Sequence, residues 1–123
     1  MNDLFISTDK FGNLYLTDIL LEYIYPRAFI CKNDKDESYL FYEVHSTEYG
    51  DTWYTVKIHE SLLQGIKDSS ISIQTAYTHA DNEYFVYKDY GNDNISVGPA
   101  PEGAIGSLPK APVFAEQESL ERT

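Results

Sequence analysis

The sequence predicts an α+β fold: a small antiparallel sheet of about five strands in a meander, one short helix and an extended C-terminal arm. Three observations carry this. Apolar and polar residues alternate through 38–58, the period of half-buried strands. The run HESLLQGIKDSS then abandons that period for helical spacing. After Tyr90 the composition changes, and the segment to residue 123 holds four of the seven glycines and four of the five prolines. A chain of 123 residues can bury one proper core. The expected organisation is an α+β domain over 1–90 and a Gly/Pro-rich arm or tail over 91–123.

The first segment breaks at Phe11-Gly12-Asn13, a turn signal because Gly and Asn tolerate positive φ. LYLTDILLEYIY follows. A helix is open to it, with Thr17 as cap and Pro26 as stop. A long strand fits better: Leu14 and Leu16 share one face, Ile19, Leu21 and Tyr23 have the opposite parity, and a bulge near Thr17-Asp18 would bring both sets to one side. RAFICKN and SYLFYEVHS form a hairpin across the charged turn NDKDES. TEYGD leads to TWYTVKIH, which completes a three-stranded meander. In the helical run, Leu62, Leu63 and Ile66 make one apolar face, weakened at Gly65 by about 1 kcal/mol relative to alanine. ISIQTAY alternates and reads as a short strand. EYFVYKDY (83–90) is a better one. The Gly/Pro-rich remainder can sustain neither a long helix nor a central strand over most of its length.

Twenty acidic against nine basic residues give a formal charge of −11. Nucleic-acid binding and an anionic membrane surface are both disfavoured, since each needs Lys and Arg. The charge serves solubility, or it forms a face that docks on a basic protein partner. The single cysteine, Cys31, allows no intramolecular disulfide and no Cys-based zinc site; it lies in an apolar strand and reads as a buried, inert thiol. The N-terminus has no signal-peptide pattern, and no apolar run approaches membrane-spanning length. A cytoplasmic protein is the expectation.

Residues 38–63 hold two of the three histidines and the only tryptophan. Alternation puts Leu40, Tyr42 and Val44 with Tyr54, Val56 and Ile58 on a core face. The opposite face carries Tyr39, Phe41, Glu43 and His45 with Trp53, Thr55, Lys57 and His59. This second face has two readings. Either the short helix or the arm covers its aromatics, and cross-strand pairs alone account for them; or it is an exposed patch that marks a contact surface. The candidate binding residues are therefore Tyr39, Phe41, Trp53, Glu43, His45 and His59. An enzyme built on His45, His59 and Glu43 is an alternative if the strands bring them together. His79 reads as a solvated turn residue.

There is no Gly-rich phosphate loop, no G-x-S-x-G elbow and no zinc-protease motif. The acids around Asp34, Asp36 and Glu37 lack the ligand spacing of a calcium loop. No catalytic residue, metal or cofactor is expected.

Phe11, Gly12, Leu14, Pro26, Phe29, Cys31, Asn33, Tyr39, Trp53 and Ala76 form a pattern, F-G-x-L … P-x-x-F-x-C-x-N … W, over residues 8–80. It resembles a family of small bacterial domains of unknown function. The resemblance implies a compact α+β domain and transfers no activity. The sequence departs from the family's glycine-containing turn after the helix, having Lys67-Asp68-Ser69-Ser70-Ile71 there.

The leading expectation is a small acidic protein–protein interaction module, of the inhibitor, immunity or phage and mobile-element counter-defence kind, with a partner of basic surface. A binder of nucleotide-like small molecules on the aromatic face is the alternative; it would need help from Arg27, Lys32, Lys57 or Lys88. An edge strand such as EYFVYKDY can also pair with a second copy to give a homodimer.

Overall fold

The turn at Phe11-Gly12 separates a short strand, β1 (Leu4–Thr8), from a long one, β2 (Gly12–Tyr23). Gly12 has φ +77°, and Phe11 N donates to Thr8 Oγ1 at 2.9 Å. The computed structural model describes residues 3–80 and 82–121 of the chain. After β2 come β3 (Tyr25–Lys32), β4 (Ser38–Thr47) and β5 (Gly50–Ile58), then helices α1 (Glu60–Lys67) and α2 (Ile73–Thr78). Strands β6 (Glu83–Asp89) and β7 (Ile95–Pro99), a 3-10 turn over Ala104–Ser107 and helix α3 (Val113–Glu121) follow. Among the described residues, seven strands, all antiparallel, lie in chain order in one sheet. The α+β class and the meander hold, but the described residues form seven strands and three short helices, not about five and one.

Two differences have clear physical causes. ISIQTAY fits both periods, and the helical one wins: Ile73, Ala76 and Tyr77 sit at i, i+3 and i+4 and are all buried. Ser72 Oγ accepts from Thr75 N at 3.1 Å and caps α2. Second, the segment after Tyr90 is not extended throughout but holds a strand, a 3-10 turn and a helix. Residues 95–99 pair with β6, an edge position that tolerates Pro99. Farther on, Gln117 clamps α3 to β2, its Oε1 accepting from Glu22 N at 2.8 Å and its Nε2 donating to Glu22 O at 2.9 Å.

Gly65 is less costly to α1 than its propensity suggests. A Cβ there would meet the Ile71 side chain at 3.1 Å, so glycine allows the chain to fold back over α1, where Ser70 N donates to Gly65 O.

Both faces of the sheet are buried. On one, Leu21, Ala28, Ile30, Leu40, Val56 and Ile58 pack under α1, α2 and Leu108. On the other, Ile6, Leu14, Phe29, Cys31, Tyr39, Phe41, Trp53 and Val86 pack together, with Phe5, Tyr84, Ile95 and Val97 against them. A flat sheet would hold β1 and β5 about 19 Å apart, four strand spacings. Yet the Phe5 and Trp53 ring centroids are 5.2 Å apart, and Phe11 meets Tyr84 of β6 at 5.3 Å. The sheet is curled nearly into a barrel, and its second hydrophobic layer is the barrel's interior.

Bulges help it to curl. The irregularity expected near Thr17-Asp18 lies between Leu16 and Asp18. It does not unite the two sets of β2 residues on one face. Further shifts follow on both sides of Leu21, so Leu14 and Leu16 join the interior while Leu21 joins the helix side.

Candidate functional site

The register of β4 and β5 pairs Tyr39 with Lys57, Phe41 with Thr55 and Glu43 with Trp53, as simple alternation requires. A shift between Glu43 and His45 breaks that register, and the ladder resumes with His45 opposite Thr52. These residues line the barrel interior, so the aromatic face is not an exposed patch. Phe41 is 0% and Trp53 4% exposed. The helices do not cover them, and of the described segment after Tyr90 only β7 reaches this layer. Phe5 of β1 covers them, edge-on to Phe29, Phe41 and Trp53 at 4.9, 5.5 and 5.2 Å, and β7 adds Ile95 and Val97 to the same layer.

The six sequence-predicted residues part company. Phe41 is pure interior. Tyr39 and His59 line a pocket at one end of the interior, Glu43 and Trp53 a pocket at the other. His45 is exposed beyond the bulge. His45 pairs with Thr52, and His59 lies seven residues farther along the chain, about 23 Å at strand rise. His45, His59 and Glu43 therefore do not converge, and no group of three or more His, Cys, Asp or Glu among the described residues is placed to hold a metal. Cys31 is buried, and burial pushes its thiol up to about 12.

The pocket at the Trp53 end has the more unusual chemistry. Its volume is about 250 Å³. Phe5, Leu16, Tyr25, Pro26, Phe29 and Trp53 make apolar walls, and Glu43 and Asp51 supply the acid. Glu43 is only 9% exposed. Its Oε1 accepts from the Tyr25 hydroxyl at 3.0 Å. Burial raises the Glu43 carboxyl above its ordinary value, and the Tyr25 hydrogen bond acts in the opposite direction. Arg27 stacks on the Tyr25 ring, 4.1 Å from its centroid, and donates Nε to Tyr23 O. It steadies Tyr25 rather than bridging to Glu43.

Asp51 is held from two sides. Ser46 Oγ donates to one oxygen at 2.6 Å, and the Tyr90 hydroxyl donates to the other. That bond pushes the Tyr90 phenol up to about 12, so Tyr90 stays a neutral donor at neutral pH. Tyr90 N donates in turn to Tyr49 O, which ties the β6–β7 turn to the β4–β5 turn. Tyr49 (70% exposed), Ile24 (85%) and Tyr90 stand around this end of the barrel.

A carboxylate in an apolar, aromatic pocket is suited to a cation. The ring faces attract an ammonium or guanidinium, and the desolvated carboxylate gains a partner stronger than a phenol. Glu43 and Trp53 are legible in the sequence from alternation. Phe5, Tyr25 and Asp51 are not, because they arrive through the curl of the sheet and the turn at Ile24, a non-glycine residue at φ 71°.

The model of a family of unknown function, DUF6575, matches residues 2–100. No curated protein and no solved structure matches the chain.

Proposed function

We propose that this chain, which belongs to the family of unknown function DUF6575, is a binding module that takes a cationic side chain of a basic protein partner into the Phe5–Tyr25–Trp53 pocket. The observation that carries this reading is Glu43: a desolvated carboxyl in an apolar pocket, met chiefly by the Tyr25 hydroxyl at 3.0 Å, with Arg27 and Ser46 as lesser partners. A Lys or Arg side chain would complete it, with Asp51 as the second acid. The net charge of −11 steers a basic partner toward the molecule. Tyr49, Tyr90 and Ile24 supply contact area around the pocket, and exposed tyrosines are effective interface anchors. The protein acts by occupancy in this reading, blocking the basic surface to which it binds.

The test is a calorimetric titration with short peptides bearing Lys or Arg, against wild type and Glu43→Gln. Wild type should bind more weakly as salt rises, and Glu43→Gln should lose about tenfold in affinity or more, the worth of a charge-assisted hydrogen bond. Equal binding by the two proteins overturns the proposal.

A further inference from the structure

We infer that the opposite end of the barrel interior is a second site, for a small organic anion: a phosphate or carboxylate carried on a planar ring. Nothing in this inference depends on the cation pocket, which lies four residues farther along β4, at Glu43 rather than Tyr39.

The site is a pocket of about 210 Å³. Lys10, Lys57, His59 and His79 reach it, with Tyr39 and Tyr84 among its walls. In a chain with nine Lys and Arg against twenty acids, two lysines and two of the three histidines meet here. They come from four places: the β1–β2 turn, the end of β5, the start of α1 and the end of α2. No carboxylate lines the pocket among the described residues. One stands beside it: Glu37 Oε2 accepts from Lys57 Nζ at 2.6 Å and neutralises that lysine in part. Lys10 Nζ lies over the Tyr84 ring, 5.0 Å from its centroid. His79 Nδ1 sits 2.9 Å from Thr75 O, which only accepts, so that nitrogen carries the proton.

The chemistry follows from this set. Two ammoniums and the His59 imidazole supply donors to an anionic group; His79, whose Nδ1 proton goes to Thr75 O, adds an Nε2 donor only as the imidazolium. Tyr39 and Tyr84 offer ring surface to a flat ligand body. The ligand is small because the pocket is, and because the protein's overall negative charge repels a polyanion. That repulsion fades beyond about 8–10 Å at ordinary ionic strength, so a local cluster of cations can still hold one phosphate. A nucleic-acid strand would have to lie along the acidic surface and is disfavoured.

The experiment is a proton NMR titration of the full chain with a nucleoside monophosphate, the parent nucleoside and inorganic phosphate, read on the histidine ring signals. His45, on β4 at the far end of the barrel and exposed, is the internal control. Saturable shifts of two histidines with the monophosphate, weaker with the nucleoside or phosphate alone and absent for the third, are expected. Assignment with His45→Gln should leave both shifting signals in place. Lys10→Gln, at an exposed position, should weaken binding about tenfold without lowering Tm. No shift at millimolar ligand, equal movement of all three histidines, or unchanged affinity in Lys10→Gln overturns the inference.

Discussion

Glu43 and Trp53 face each other across β4 and β5 inside the barrel, and Phe5 of β1 lies edge-on to the Trp53 ring at 5.2 Å. An acid and an indole paired in an interior layer, with a phenylalanine from the sheet edge over them, make a pocket from what would otherwise be solid core. Phe5→Ala removes three ring contacts and opens that pocket. It should cost about 2–3 kcal/mol, less than a fully buried Phe→Ala because Phe5 is half-buried. Denaturant unfolding measures the loss, and cationic peptide binding should fall in the same variant.

Acid should separate two glutamates. The Glu43 carboxyl is raised in the folded state by burial. Its contribution is therefore fully present below the unfolded value, about 4.3, and is lost as pH rises through the folded value. Glu43→Gln should match wild type in strong acid and be more stable at neutral pH. Glu37 is the reverse case. Hydrogen bonds from Asn33 and Lys57 hold its carboxyl below the ordinary value, so its contribution is present above the unfolded value and is lost as pH falls through the folded one. Glu37→Gln should lower stability at neutral pH and have no effect in strong acid. Tm measured against pH for the three proteins tests both signs; a Glu43→Gln curve parallel to wild type would refute the first.

Thr55 is wholly buried between Phe41 and Tyr84, and its Oγ1 has no hydrogen-bond partner among the described residues. Thr55→Val keeps the shape and removes an unsatisfied hydroxyl. It should stabilise the fold by about 1 kcal/mol, or roughly 4 °C in Tm for a chain of this size. An unchanged or lower Tm would show that the hydroxyl is satisfied in solution.

Tyr77 anchors α2 to the sheet. Its hydroxyl, fully buried, reaches Tyr54 O at 2.5 Å and Leu40 O at 3.2 Å, and burial holds the phenol well above its ordinary value. Tyr77→Phe leaves those carbonyls short of a donor and should cost about 1–2 kcal/mol in equilibrium unfolding. Tyr77→Ala should cost more, about 3–5 kcal/mol, because it also leaves a cavity beneath α2.

The local features were readable in the residues themselves. Phe11-Gly12 specifies its turn, alternation puts Tyr39, Glu43, Trp53 and Lys57 on one face, and the spacing of Leu63 and Ile66 specifies α1. Each rests on interactions within a few residues or between neighbouring strands, which sequence periodicity encodes. ISIQTAY satisfied two periods at once, and only the burial of Ile73, Ala76 and Tyr77 against the sheet chose between them. The tail after Tyr90 has a composition that rules out much without specifying an edge strand; β6 supplies the partner that makes β7.

Which face of the sheet is inside is a different kind of question. Alternation divides β4 and β5 into two sets of side chains and determines that one is core. It contains no information on the fate of the other, because that depends on the twist and bulges accumulated over four strand spacings. The curl brings Phe5 onto Trp53 and Lys10 over Tyr84, pairs far apart in the chain. By turning the second face inward it closes the expected aromatic patch and leaves two small pockets of opposite charge at its ends. Sequence determined the meander from β2 to β5 and the division of β4 and β5 into two faces, through contacts that are local. Tertiary structure decided where the aromatics, the acids and the lysines meet, because only the closed sheet brings its first strand against its fifth and sixth.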